Sequence, residues 1–169
     1  MVKIELAKLS DLDRVKEIAE ACAKKMIENK IYQWNKKYPS KEIFREDIKN
    51  NSLYVSIINF EIVGCIMFSP YKDDVYNDVN WISNDSNNLY IHRLAVHPEF
   101  QKKGIARKMM DYAEDYARSK DYNSIRLDTF SQNQRNNKFY KCRGYTKLGD
   151  VFFPNQSTFP FHCYEKIID

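Results

Sequence analysis

Glycine is scarce in this sequence, with four residues in a chain of 169 that is otherwise crowded with Asn, Lys and Tyr. Long apolar runs are missing as well. "VGCIMF" (63–68) is typical of the longest, far short of the ~20 residues a membrane-spanning helix needs, so no membrane partner is expected. The opening "MVKIELAKLSDLD" lacks the charged-then-apolar layout of a signal peptide, and the expected location is the cytoplasm. Cys22, Cys65, Cys142 and Cys163 are scattered, with no CxxC pair and no His at zinc spacing. No metal is expected, and the thiols read as buried and free, although an even count would also permit two disulfides. A net charge of +4, with the lysines spread out, is not the footprint of a nucleic-acid binder. Repeats, low-complexity tracts and linkers are absent, so residues 1–169 are expected to form a single domain.

What is present is an alternation of strand-like and helical patterns. "VKIELA" alternates as a strand, and then Leu12, Val15, Ile18 or Ala19, Cys22 or Ala23 and Met26 recur at helical spacing. Ser10 with Asp13 resembles a capping box for that helix. Pro39 breaks the pattern, Ser40 can cap, and Ile43, Phe44 and Ile48 give a short second helix. "SLYVSII" and "EIVGCIMFS", separated by residues 59–61, read as a hairpin, and the polar stretch 70–88 reads as a long loop of the kind that borders functional sites. "LYIHRLAV" is a strand, and a helix is expected from Gly104 to about Ser119 with Ile105, Met109, Tyr112 or Ala113, and Tyr116 on one face. "SIRLDTF", "NNKFYKC", "YTKLGDVFF" and "FHCYEKII" follow as strand, short helix, strand and strand. This order predicts an α/β domain with a mixed sheet.

"HPEFQKKGIARKMM" (97–110) places one of the four glycines where a helix begins beyond a strand. The first N–H groups of a helix lack internal partners, and the helix dipole favours an anion there. Gly104 leaves no Cβ in the way of a phosphate, Lys102 and Lys103 add positive charge, and Ala106 is small. The stretch suits a pyrophosphate cradle, though a glycine before a helix and a solvated lysine pair would look the same. It is neither a P-loop nor GxGxxG.

"LAVHPEFQKKGIARKMMDYAEDYA" resembles the acetyl-CoA-binding motif of the GNAT superfamily of N-acetyltransferases: Gln101, Gly104 and Ala106 fit its pattern of Arg or Gln, two free positions, Gly, one free position, then Gly or Ala. "SIRLDTFSQNQRNNKFYKCRGY" resembles the family's next block, through Asn133, Tyr140 and the Gly144–Tyr145 pair. "QWNKKYPSKEIFREDI", "VNW", "IHRLAV" and "RLDTF" are also similar to a group of bacterial GNAT proteins. Asn136, where relatives commonly have a small residue, and "KCRGY" after Tyr140 depart from the pattern.

The resemblance implies a GNAT-like fold, with a mostly antiparallel central sheet flanked by helices. It implies acetyl-CoA as co-substrate and transfer of acetyl to a primary amine by direct attack in a ternary complex. The Leu94, Ala95 and Val96 backbone and Asn133 would hold pantetheine. The amides of Lys102, Lys103, Gly104, Ile105 and Ala106 would hold the pyrophosphate, together with Arg107. Tyr140 would donate a proton to the departing thiolate, and Val96 N–H would meet the oxyanion. Many relatives carry a Glu where this chain has Tyr90, which leaves the base open between His92, two residues on along the same strand face, and a structural role for that His. Asp128 would attract a cationic acceptor or make an ordinary salt bridge. Trp34, Tyr38 and Trp81 would line the acceptor pocket or cover the core. The acceptor is expected to be a small molecule or a peptide amine, and the protein a monomer or homodimer. A binding module for acyl-CoA that has lost catalysis is the alternative.

Overall fold

Six apolar side chains of the first helix (Leu12, Val15, Ile18, Ala19, Cys22 and Ala23) fall on one face, and all six are buried. The computed structural model describes Met1–Asp169 and turns the patterns above into β1 (Lys3–Leu6), α1 (Leu12–Glu28), α2 (Lys41–Lys49), β2 (Leu53–Ile58), β3 (Glu61–Ser69), β4 (Asn88–Val96), α3 (Ile105–Ser119), β5 (Ser124–Phe130), α4 (Gln134–Cys142), β6 (Thr146–Val151) and β7 (Phe161–Ile167). The fold is α/β, with one seven-stranded mixed sheet in the order β1-β2-β3-β4-β5-β7-β6. The β4–β5 pair is parallel, while β1–β2, β2–β3, β5–β7 and β6–β7 are antiparallel. No helix is long and apolar enough to cross a membrane.

The strand and helix patterns hold along the chain, and one of the two expected helix caps forms. Ser40 caps α2 by accepting the Ile43 N–H at 3.2 Å. The capping box expected from Ser10 and Asp13 does not form. Instead Leu9–Asp11 makes a 3-10 turn ahead of α1, closed by the Lys8 N–H on Asp11 Oδ2 at 2.8 Å. The hairpin loop is two residues, Asn59 and Phe60, both at positive φ as a tight hairpin turn demands. The stretch 70–88 holds a 3-10 turn at Asp74–Tyr76 and ends at Asn88, which already belongs to β4. On α3 the buried apolar positions are Ile105, Met109, Met110, Ala113 and Ala117, with Tyr116 only half-buried. All four cysteines are free, but Cys142 is exposed, because it lies in the last turn of α4 on the side turned to water.

The chain divides into two compact units, Met1–Phe68 with Arg93–Ala113 and Ser69–His92 with Glu114–Asp169. In the first, α1 and α2 pack with Leu53, Val55, Cys65, Met67 and Ala95 into one apolar core. Gly64 is there for close approach: a Cβ at this position would stand 2.7 Å from the Ala95 carbonyl oxygen and 2.8 Å from Ser56 Oγ. Arg93 grips Asp47 of α2 in a bidentate pair, with N···O distances of 2.6 and 2.9 Å.

In the second unit, register sorts the side chains between two sheet faces. Tyr90 lies opposite Arg126, Arg126 opposite Glu165 and Asp128 opposite Cys163, so these five share one face. Leu127 and Tyr164 pair on the other, where Tyr164 Oη donates to Asn137 Oδ1 of α4 at 2.7 Å.

Gly64→Ala is expected to cost about 1–3 kcal/mol, because the clash falls on a backbone carbonyl that cannot swing aside. Urea unfolding followed by circular dichroism measures it, and an unchanged midpoint would contradict the close-approach account.

Candidate functional site

The first unit carries the glycine loop. A 3-10 turn at Pro98–Phe100 follows β4, and residues 101–104 lead into α3. Gln101 folds back to donate its Nε2–H to the Val96 carbonyl at 2.9 Å, and the Cys22 thiol donates to the same oxygen at 3.1 Å. These two bonds tie the end of the strand to the loop and to α1. Lys102 (φ 63°) and Gly104 (φ 79°) are both in the left-handed region, so the loop coils into a concave turn of backbone amides. A Cβ at Gly104 would meet nothing within 4 Å. The glycine therefore serves its backbone conformation, and the space in front of it lies open. Ile105 anchors the helix start in the interior, whereas Lys102, Lys103 and Arg107 are exposed. Lys103 Nζ rests 5.0 Å from the centre of the Phe100 ring. Unpartnered amides, an open approach and three cations fit a pyrophosphate. Ala95 and Val96 are buried and Leu94 half-buried.

Trp34 and Tyr38 belong to the same unit. Trp34 is 7% exposed within the apolar core, and Tyr38 packs against that core. Core packing accounts for Trp34.

In the second unit, Asn133 caps α4, its Oδ1 accepting the Asn136 N–H at 3.1 Å. The departure at Asn136 ties α4 to β5 through Thr129 Oγ1, 3.3 Å from its Nδ2. The departure at "KCRGY" places Arg143 on Glu114 Oε1 at 2.8 Å, where Lys166 and the Tyr145 hydroxyl also converge on that carboxylate. Tyr140 is 6% exposed and packs against Phe139, Tyr145 and Tyr164 with centroid distances of 5.3–6.0 Å. Burial, and next the Asp128 charge, push its phenol well above the ordinary tyrosine range.

On the opposite face, Trp81, Tyr76, Tyr90, His92 and Tyr71 form a continuous row of rings, each 5.4–6.4 Å from the next. His92 Nε2 lies 2.9 Å from the Tyr71 carbonyl, so that nitrogen is the donor and Nδ1 is the only one able to accept a proton. Tyr76 donates its hydroxyl to Asp128 Oδ2. Beside them Arg126 is fully buried. Its Nε bonds Glu165 at 3.0 Å, Nη1 bonds Asp85 at 2.7 Å and Tyr90 Oη at 3.1 Å, and Nη2 bonds the carbonyls of Ser83 and Asn84 at 2.7 and 2.9 Å. Its guanidinium also stacks on Trp81 at 4.6 Å. Glu165 in turn accepts from Ser83, Ser124 and the Ile82 amide. These bonds fasten the stretch 70–88 to the sheet.

Of the residues singled out in the sequence, Trp81, Tyr90, His92 and Asp128 come together here. Tyr76, Arg126 and Glu165 were not anticipated. The one available hint was a bulky aromatic inside the otherwise polar "DDVYNDV".

Residues 13–145 match the model of the family described as "Acetyltransferase (GNAT) family". The chain is 27% identical over 100 residues to an uncharacterised N-acetyltransferase in the pepI 3′ region of Lactobacillus delbrueckii subsp. lactis; the match covers 59% of this chain and 54% of that relative, so the chain spans about half of the relative's length. Among solved structures, a putative acetyltransferase from Staphylococcus aureus Mu50 shares 30% identity at a TM-score of 0.75, covering 98% of this chain and 99% of the other. The PaiA N-acetyltransferase of Thermoplasma acidophilum, solved in complex with coenzyme A, shares the fold at 21% identity and a TM-score of 0.71, covering 99% of each chain.

Arg126→Met removes the cation that compensates buried Glu165, and is expected to destabilise the protein by about 3–5 kcal/mol. Urea unfolding reads the cost, and hydrogen exchange at the Ile82 and Ser83 amides should accelerate. Wild-type exchange at those two amides would show that the arginine does not hold the segment.

Proposed function

The chain belongs to the acetyltransferase (GNAT) family, and from that premise we propose that residues 1–169 act as one N-acetyltransferase domain moving acetyl from acetyl-CoA to a primary amine of a small molecule or peptide. The observation that carries this reading is the residue 101–104 loop: left-handed at Lys102 and Gly104, open in front of the glycine, and pinned at its start by Gln101 on the Val96 carbonyl. An anionic pyrophosphate suits the amides from Lys102 to Ala106, with Arg107 as a further contact. The Leu94–Val96 backbone and Asn133 take the pantetheine, and the Val96 N–H takes the oxyanion.

Tyr140 is the proton donor to the departing thiolate. A phenol raised by burial stays protonated at neutral pH and has a proton to give. Direct transfer to the amine is supported by the state of two buried thiols. Burial pushes Cys65 up to about 12 and raises Cys163 well above the ordinary thiol range, so neither supplies a thiolate for an acetyl-enzyme. On the acceptor side we place Trp81, Tyr90, His92 and Asp128, with His92 able to accept a proton only through Nδ1.

The non-catalytic alternative draws on Tyr90, whose hydroxyl accepts from Arg126 and is not available as a base. Release of CoA thiol from acetyl-CoA across a panel of amines separates the two readings: spermidine, free lysine, an aminoglycoside and short peptides. Wild type is expected to turn over at least one class, and Tyr140→Phe to lose about a hundredfold in kcat with acetyl-CoA affinity kept. Undiminished turnover in that variant would remove Tyr140 from the acid role, and silence of the wild type with every amine, acetyl-CoA still bound, would favour the binding module. Gly104→Val forces a branched residue into the left-handed region, and calorimetry should show acetyl-CoA binding about tenfold weaker, equivalent to ~1.4 kcal/mol. Equal affinity would mean the loop does not hold the cofactor.

A further inference from the structure

Asp128 sits one residue beyond Leu127, the last residue of β5 with a partner on β4. It is half-buried, on the sheet face that carries the row of aromatic rings. One carboxylate oxygen, Oδ2, receives the Tyr76 hydroxyl, while Oδ1 has no hydrogen-bond partner within the protein. Tyr76 itself cannot turn away. It is 1% exposed, wedged edge-on against Trp81 and stacked on Tyr90, and the Trp81 indole donates to its carbonyl at 3.2 Å. Asp73 closes the turn before it by accepting the Val75 N–H at 3.1 Å. No cation compensates Asp128, since Arg126, two residues back on the same face, spends its N–H groups on Asp85, Glu165, Tyr90 and the residue 83–84 backbone. A partly desolvated carboxylate with one oxygen locked and the other left open is costly to keep unless something else uses it.

We propose that Asp128 takes the proton from the acceptor's ammonium group, with Tyr76 as the residue that positions its carboxylate. This rests on the acetyltransferase reading. The ammonium gives one proton to Asp128 Oδ1, and the freed lone pair forms the bond to the thioester carbon. The C–S bond then breaks with its electrons going to sulfur, and sulfur takes the phenolic proton of Tyr140. The Tyr140 phenolate recovers a proton from the nitrogen that becomes the amide, and Asp128 passes its proton to solvent. One proton leaves per turnover, and the third stays on the amide.

The groups around Asp128 suit that task. Burial raises its carboxyl, the Tyr76 hydrogen bond offsets part of that rise and Asp73 adds to it, and the net value of about 6 leaves a carboxylate at neutral pH. Cys163 opposite it on β7 and Tyr140 of α4 are both held neutral by burial and by the Asp128 charge. Tyr90 and His92 lie along β4 with their rings 6.4 Å apart, and His92 Nε2 donates to the Tyr71 carbonyl.

The test is the pH dependence of kcat/KM for CoA-thiol release with the panel amine turned over fastest, in wild type, Asp128→Asn, Tyr76→Phe and His92→Gln. Wild type should lose activity as pH falls through about 6. Asp128→Asn should lose about a hundredfold at neutral pH and with it that acid limb. It should unfold at or above the wild-type Tm at alkaline pH, since a buried charge has been removed, which separates lost chemistry from lost folding. Tyr76→Phe removes a hydrogen bond to the charged form, so its acid limb should move to higher pH, a shift that damage to packing alone would not produce. His92→Gln should keep the limb. An acid limb that survives in Asp128→Asn and vanishes in His92→Gln would overturn the proposal while leaving the acetyltransferase intact. A wild type that turns over no amine would overturn both.

Discussion

A guanidinium with no access to water must find an acceptor for each of its five N–H groups inside the protein, and Arg126 does so. Its partners come from β4, from β7 and from the segment between β3 and β4, so one buried cation draws three parts of the second unit together. The charge is tolerated because Glu165 and Asp85 answer it and Trp81 covers its face. Fixing residues 83–85 also fixes what precedes them. Trp81 holds Tyr76 through its indole, and Tyr76 holds Asp128. The chemistry proposed for Asp128 therefore depends on an arginine that takes no part in it.

The opposite face of the same sheet carries α4. There Asn133 shapes the start of α4, and Tyr140 lies among Phe139, Tyr145 and Tyr164. Burial acts on the two titratable groups in the same direction and with opposite consequences. It holds the phenol of Tyr140 far above neutrality, so it remains an acid, and lifts Asp128 only to about 6, so it remains a base at pH 7. The Asp128 charge itself helps to keep Tyr140 protonated. A protonated phenol and an ionised carboxylate are thus set apart by environment, as the proposed transfer to an ammonium requires.

Much of this was legible in the sequence, and the division between what was and was not follows the range of the interactions. Helical spacing in α1 and the Ser40 cap are read within a few residues, and both are found. The glycine loop was legible because a left-handed backbone must be carried by a particular residue at a particular place. The Ser10–Asp13 box failed because Asp11, closer at hand, offers its carboxylate to Lys8. The aromatic character of Trp34 showed, but burial depends on what packs above it, and Trp34 is a core residue. Tyr76 with Asp128 and Arg126 with Glu165 are bonds between residues 52 and 39 positions apart. No periodicity announces such pairs. They exist because strand register sets Arg126 opposite Glu165 and leaves Asp128 just past the end of the parallel pairing.

Whether acetyl passes to the amine in one step is open to direct measurement. Enzyme in excess over acetyl-CoA would be mixed with an accepted amine and quenched over a single turnover, with the acetylated amine, free CoA and the intact protein mass followed together. Direct transfer predicts that acetylated amine and free CoA appear at the same rate and that the protein mass never changes. Free CoA appearing ahead of product, with an acetyl group on the protein, would contradict it and would point first to Cys142, the exposed thiol.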